Sequence, residues 1–498
     1  MTRRGTALIL AIFFLGFCQL VAMGFTRLLP TELNGTLRYR MDVASSLAAD
    51  AGIQYAVVYL EDKLNRKQEP VPGPQSTLVL ESQRLGLSLN DWDWRVTLHP
   101  DPETPPLGNN PRRAYSIESQ ALLRDQVHRV VTVQVVQQSF VRYARFTNTW
   151  PAVVSAWAGA QHFSGPVHSN EIIRIGIHPG YYTNGDDQLF QAKVTSVGGI
   201  EYTPETLEPP PATEAQYRRL FNIPREPTRR RTKIEVPWEP NMLRQASLAG
   251  GQPDPGPITV RPGGGIFLRG NVDEMRLDVE NGDPVQFITI GGATYKVTER
   301  GSPSNGRTRV VNLSTGAVVA DHSGHPNGTI YVTGSILGLH GRNKGRHTIA
   351  VDSSVKHKIV VGGNILQAGA TANSPASDLD NRNALGLIGH TIEIPYRIDP
   401  ATGPLVVHAA IMAGDGDGTG GFRTERLEEI PRDDLHHNYI TFVGSVVEDC
   451  RNITAHINPG SGWTTRFEFD PSLKDAPPPY FPAEPEFEMN GYSDRYDT

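Results

Sequence analysis

Nineteen residues from Ala7 to Phe25, ALILAIFFLGFCQLVAMGF, carry no charge and only one strongly polar side chain, Gln19. A helix of that length rises about 28 Å, close to the roughly 30 Å of a bilayer's hydrocarbon core. Arg3 and Arg4 precede the run and Arg27 follows it. Basic residues ahead of a span place the N-terminus on the cytoplasmic side and nearly all of this chain outside. The rival reading is a cleaved secretory signal. Ala22-Met23-Gly24 supplies small residues for a cleavage site, but the run is longer than the roughly 7–15 residues of a signal's apolar core.

The remainder has the composition of a soluble body. With 498 residues, 47 basic against 53 acidic side chains and a formal net charge of −6, the chain is neither a polytopic membrane protein nor a basic nucleic-acid binder. Its 49 glycines and 39 prolines favour many turns over long helices, so a mainly β body is expected. The two cysteines, Cys18 and Cys450, exclude a disulfide scaffold and a zinc site built on thiolates. Between Thr36 and Leu64, the residues Leu37, Met41, Ala44, Leu47, Ala48, Ala51, Val58 and Leu64 fall mostly at helical spacing, which predicts an amphipathic helix. Pro30 and Gly35 are expected to kink or interrupt its continuity with the apolar run.

Arg3-Arg4-Gly5-Thr6-Ala7-Leu8-Ile9-Leu10, the apolar stretch behind it, and Ala48-Ala49-Asp50-Ala51-Gly52-Ile53 resemble the N-terminal region of PilX-like type IV pilus-assembly proteins, with their basic-Gly start and Ala-Glu-Ala-Gly-Ile element. The resemblance implies cutting by a prepilin peptidase after Gly5, leaving Thr6 first. It places Leu10 where major pilins carry glutamate, which points to a minor subunit. Arg142–Asn148, Gly165–Asn170 and Pro477–Pro482 resemble a domain of unknown function found in pilus-associated proteins. The partners implied are the membrane, other pilin-like subunits and the peptidase, with no nucleic acid. The location implied is the bacterial inner membrane in a single pass, a cell-surface pilus, or both. Ala7, Leu8, Leu10, Phe14 and Leu15 are the residues expected to pack against neighbouring helices.

The expected organisation is a pilin-like N-terminal helix over 1–64, an α/β or β connecting domain over 75–202, an irregular Pro- and Arg-rich insertion over 203–256 around a short helical patch near Ala215 to Phe221, a β-solenoid-like domain over 257–482 and a polar tail over 483–498. The solenoid rests on an echo. Ile266–Val272, Ile330–Ile336, Ile359–Ile365 and Ile440–Val446 all read apolar, any, apolar, any, Gly, Asn or Ser, then Ile or Val. Two apolar residues share one strand face, the glycine turns a corner and the last residue re-enters the core. The glycines stand 64, 29 and 81 positions apart. Further runs at Arg309–Leu313, His347–Val351, Ala384–Ile394 and Leu405–Ile411 would fill the gaps as rungs of an irregular parallel β-helix. A β-sandwich with a recurrent turn is the alternative.

No chemistry is legible. Asp415-Gly-Asp417-Gly-Thr419-Gly420 spaces oxygen ligands like a calcium loop, but position twelve is Arg426, with Glu425 one place early. A glycine-rich solvent turn is therefore expected and no metal. His168 and His408 have apolar neighbours and read as structural, and the adjacent His436-His437 cannot easily serve one ion. No metalloprotease or serine-hydrolase motif occurs, so no catalytic residue or cofactor is assigned. Polysaccharide binding or cleavage by a β-helix is the competing function, and Asp378, Asp380, Asp433 and Asp434 are the carboxylates that could serve it.

Overall fold

The computed structural model describes residues 3–66, 76–100, 113–151, 157–158, 161–177, 189–202, 209–227, 229–230, 232–238, 241–301, 305–396, 405–426, 429, 439–452, 455–456 and 461–496. The chain divides into two compact units. One comprises Met1–Glu103, Arg113–Val136 and Glu486–Thr498, the other Thr104–Arg112 and Gln137–Pro485.

In the first unit, helix α1 runs unbroken over Arg3–Asn65, 63 residues and about 95 Å. The expected interruption at Pro30 and Gly35 does not occur. An interior proline costs about 3 kcal/mol, but it removes only the hydrogen bond to the Thr26 carbonyl, and the turns on either side remain helical. The C-terminal half of α1 packs on an antiparallel sheet of β1 (Leu78–Glu81), β2 (Trp92–Pro100), β3 (Ala114–Leu123) and β4 (Gln126–Ser139). Strand β2 alternates as its sequence demands: Trp94, Val96 and Leu98 are buried, while Arg95 between them is exposed.

The helix buries a different stripe from the one expected. Ala48, Ala49, Ile53, Ala56, Val57 and Leu60 face the sheet, whereas Leu37, Met41, Leu47 and Val58 are exposed. Small residues decide the choice, because they let the helix axis approach the strands. A Cβ added to Gly52 would collide with Ser119 Oγ and sit 2.8 Å from Val96 Cγ2, and Ser119 Oγ donates to the Ala49 carbonyl at 2.8 Å. Replacing Gly52 with Leu should therefore cost about 1–3 kcal/mol by overpacking, read as a lower denaturation midpoint. An unchanged midpoint would show that the helix can lift off the sheet freely.

The polar segment 483–498 is not a tail. Ala483–Tyr496 is a strand that adds to the free edge of β4. Its charges hid it: backbone pairing needs no apolar alternation, and Asp494 is held by the Arg129 guanidinium, Nε to Oδ1 2.9 Å, which also reaches Asp42 at 3.1 Å. Phe487 packs edge-on to Tyr115, with ring centroids 5.8 Å apart.

The second unit is mainly β, and its principal sheet closes on itself. Most pairings are parallel, and from Thr329 to Cys450 they mainly join alternate strands. One column of partners reads Ile266, Ile330, Ile349, Leu387, Ile411, Val446, Arg145, Val167, Val194. A second reads Met275, Leu339, Val361, and a third Ile365, Val407, Phe442, Phe467, Phe163. The apolar members fill one continuous core. Strand Arg145–Thr149, expected in a separate connecting domain, thus pairs with Tyr439–Cys450, so the divisions at 202 and 257 are not structural ones.

The first two echoes align: Ile266 pairs with Ile330, and Val272 bridges Ile336. At their shared corner, a Cβ on Gly334 would lie 2.5 Å from the Gly270 backbone, so only glycine fits there. Arg309–Leu313 is not a rung of these columns. Its strand, Arg307–Asn312, belongs to an antiparallel meander running from Glu274 to Ser323, whose first turn is formed by Asn281 and Gly282 with φ of 53° and 84°, the left-handed pair that two-residue hairpins require. The insertion holds two short helices. Glu214–Phe221, with a Thr213/Gln216 capping box, covers the helical patch expected there, and Asn241–Ser247 was not anticipated.

Candidate functional site

Among the described residues, the N-terminal part of α1 presents an extended apolar surface to solvent. Phe13, Phe14, Leu15, Phe17, Leu20, Met23 and Phe25 are all more than three-fifths exposed; Phe14 is 69% and Leu15 63% exposed. These residues point in every direction around the helix, so no single face could bury them against one sheet. Monomeric soluble proteins rarely leave so continuous an apolar surface in water. Gly5, Ala7, Leu8 and Leu10 lie in the same helix, with side chains outside the described residues. The segment Glu32–Leu64 is also long and apolar enough to cross a membrane by length and composition. Part of its apolar surface packs on the sheet, whereas Phe13–Thr26 is a shorter apolar stretch whose large side chains are exposed.

Outward from the sheet, α1 carries a stripe that the sequence reading merged with the buried face. Leu33, Leu37, Leu47 and Val58 are 49–62% exposed, and half-buried Ala44 and Ala51 between them pack along one edge against the sheet core. With Arg40 and Gln54 the positions 33, 37, 40, 44, 47, 51, 54 and 58 alternate steps of four and three, the seam by which one helix packs along another. That spacing was the available signal.

In the second unit a cleft of about 850 Å³ is lined by Glu299, His325, Asn327, Lys344, Arg346, His347, Asp380, Arg382 and Asn383, among others. At its base Glu299 is 4% exposed. Its Oε1 accepts from Gln286 Nε2 at 2.9 Å and lies 3.3 Å from His347 Nε2, and Oε2 is 4.0 Å from His325 Nδ1. Burial acts to raise its pKa, but the His347 charge and these hydrogen bonds outweigh it and hold the carboxyl below its ordinary value. His347 Nδ1 sits 2.8 Å from Asn343 Oδ1, so both ring nitrogens face acceptors. No sequence motif marks this cluster, because its members come from four separate strands and a loop.

Of the carboxylates singled out from sequence, Asp380 lines this cleft. Asp380 is clamped by its neighbour Arg382, Nη2 to Oδ2 2.8 Å, which lowers its pKa. Asp378 accepts from Ser377 at 3.1 Å. Asp433, Asp434, His436 and His437 lie outside the described residues. His168 is fully buried between Thr195 (2.8 Å) and Asn170 (3.1 Å), and His408 Nδ1 accepts from the Gln367 amide at 3.2 Å. Burial pushes both imidazoles down to about 4, so they are neutral structural residues at pH 7.

No model of a known protein family matches the chain, and no curated protein does. Among solved structures the chain is similar to the competence-associated pilin ComZ from Thermus thermophilus, at 14% identity over 92% of this chain and 98% of that one, with a TM-score of 0.26. A likeness that loose leaves the functional argument to the residues themselves.

Proposed function

We propose that this chain is a non-enzymatic, pilin-like minor subunit of a type IV pilus or related secretion filament. Residues 7–25 hold it in the membrane with the N-terminus cytoplasmic, and the β-rich unit works outside the cytoplasm. The observation that carries this reading is the uncharged, predominantly apolar and solvent-facing run from Phe13 to Phe25, continuous in one helix with a segment packed on a sheet. Such a surface is stable only in lipid or among similar helices. The outer stripe from Leu33 to Val58 supplies a seam for such helices beyond the bilayer.

The second unit is read as an irregular parallel β-helix. Two features support it: parallel pairing between alternate strands, and a column of stacked rings in which Phe442, Phe467, Phe163, Phe190 and Phe221 follow one another at centroid spacings of 5.3, 5.0, 5.2 and 5.6 Å. These spacings approach the roughly 4.8 Å between hydrogen-bonded strands, as expected when each coil places its phenylalanine over the last. The second functional reading, a secreted or anchored β-helix that binds or cleaves polysaccharide, is favoured by the cleft around Glu299 alone.

Mass spectrometry of the chain recovered from membranes tests the proposal. The expected N-terminus is Thr6, made by a peptidase cutting after Gly5. An intact Met1 would leave a plain anchor outside the pilin pathway, and a start near Phe25 would mean that the apolar run is a discarded signal.

A further inference from the structure

The glycine-rich loop dismissed as a calcium site acquires a ligand that its own sequence lacks. His390 stands at the break between strands Ala384–Gly389 and Thr391–Ile394, and its side chain is 5% exposed. Its Nε2 lies 3.9 Å from Asp415 Oδ1 and 3.9 Å from Asp417 Oδ1, and 3.1 Å from Thr419 Oγ1. The ligand atoms of His390, Asp415 and Asp417 all fall within 4.8 Å of one another. Around a divalent ion with bonds of about 2.0–2.2 Å, neighbouring ligand atoms stand about 3–4 Å apart, so these three side chains need only small rotations to enclose one.

The surroundings hold this arrangement in place. Buried Asp449 accepts from the Gly416 and Gly418 amides, both at 2.9 Å through Oδ2, while its Oδ1 accepts from Asn148 at 2.8 Å. Gly414, Gly416 and Gly418 have φ of 149°, 85° and 75°, and a Cβ on Gly414 or Gly416 would meet the Trp238 ring at 3.0 Å or less. The loop is therefore cast against fixed neighbours. The far ring nitrogen of His390, Nδ1, has Thr391 Oγ1 at 3.0 Å, the outer partner that sets ring orientation in metal-binding histidines.

We propose that His390, Asp415 and Asp417 form a binding site for a divalent transition-metal ion of the zinc class, with Thr419 Oγ1 or water completing the shell. One imidazole and two carboxylates suit zinc. Calcium, which takes about 6–8 oxygen ligands, is poorly served by so few. The built-in competitor is Lys356, whose Nζ sits 2.7 Å from Asp417 Oδ2, the oxygen not assigned above to the ion. Its side chain is 57% exposed, so it can swing into solvent.

The test is zinc titration of the detergent-solubilised full chain after chelator treatment, followed by calorimetry. One equivalent is expected, with His390→Gln and Asp417→Asn each weakening it by more than about 10-fold. Lys356→Gln should tighten binding, and His347→Gln should leave it unchanged. Because tightening cannot come from misfolding, the lysine variant keeps the test decisive if the ligand variants prove unstable. Zinc binding indifferent to both His390→Gln and Lys356→Gln, or calcium binding of equal strength, would overturn the assignment.

Discussion

A chain carrying Asp at both Leu10 and Phe14 is expected to leave the membrane fraction entirely. An aspartate at the helix centre costs about 2.5–3.5 kcal/mol on an insertion scale, and the lost apolar residue forfeits a further 0.3–0.6 or so. Phe14 lies near the centre of the run and Leu10 nearer its start, so the two substitutions together remove about 3–8 kcal/mol, at least about two orders of magnitude in partitioning. Carbonate extraction and immunoblotting read the result. Because both positions lie in α1 well ahead of its sheet-packed half, the released protein should keep its native circular dichroism. Unchanged fractionation would mean that something other than the run 7–25 holds the chain, and the proposed role would fail with it.

The second large effect lies inside the parallel unit. Arg145 occupies a column position where its neighbours are Val446 and Val167, and it is 0% exposed, as is its partner Glu448. The guanidinium meets the carboxylate at 3.2 Å through Nε and 2.5 Å through Nη2, lies 4.7 Å over the Phe467 ring, and shares Glu448 Oε1 with the Thr147 hydroxyl at 3.0 Å. Arg451, buried beside them, has its pKa brought down to about 10 by desolvation, with Glu448 opposing the shift. Arg145→Ala should therefore cost about 3–5 kcal/mol, because it strands a carboxylate in the core. Replacing Arg145 and Glu448 together with Met should recover part of that loss. Urea unfolding of the two variants measures both, and a loss under about 1 kcal/mol for the single substitution would show that water reaches Glu448.

Local regularities were legible in the sequence, and distant pairings were not. The apolar run announced itself by composition, and the short helix at Glu214–Phe221 was visible as a helical patch. The echo at Ile266 and Ile330 predicted two strands that do pair in register. The same motif misled at Ile359 and Ile440, which pair with Ile336 and Leu405 instead, because a corner that recurs within different coils looks identical along the chain. The stripe on α1 was misassigned because packing against a close sheet selects Ala and Gly over the larger Leu37 and Leu47. The cluster at Glu299 and the ligand at His390 depend on strands meeting across gaps that no local pattern encodes.

One such gap bears on how the molecule is made. Thr147 and Glu448, 301 positions apart in the chain, touch, and the edge of β4 is covered by a strand that begins only at Ala483. At a synthesis rate of about 10 residues per second, the early segment waits on the order of half a minute for its partners. Folding of such a polypeptide is therefore a race between late pairing and aggregation, in which a holding chaperone that shields the exposed early strands would decide the yield of finished protein.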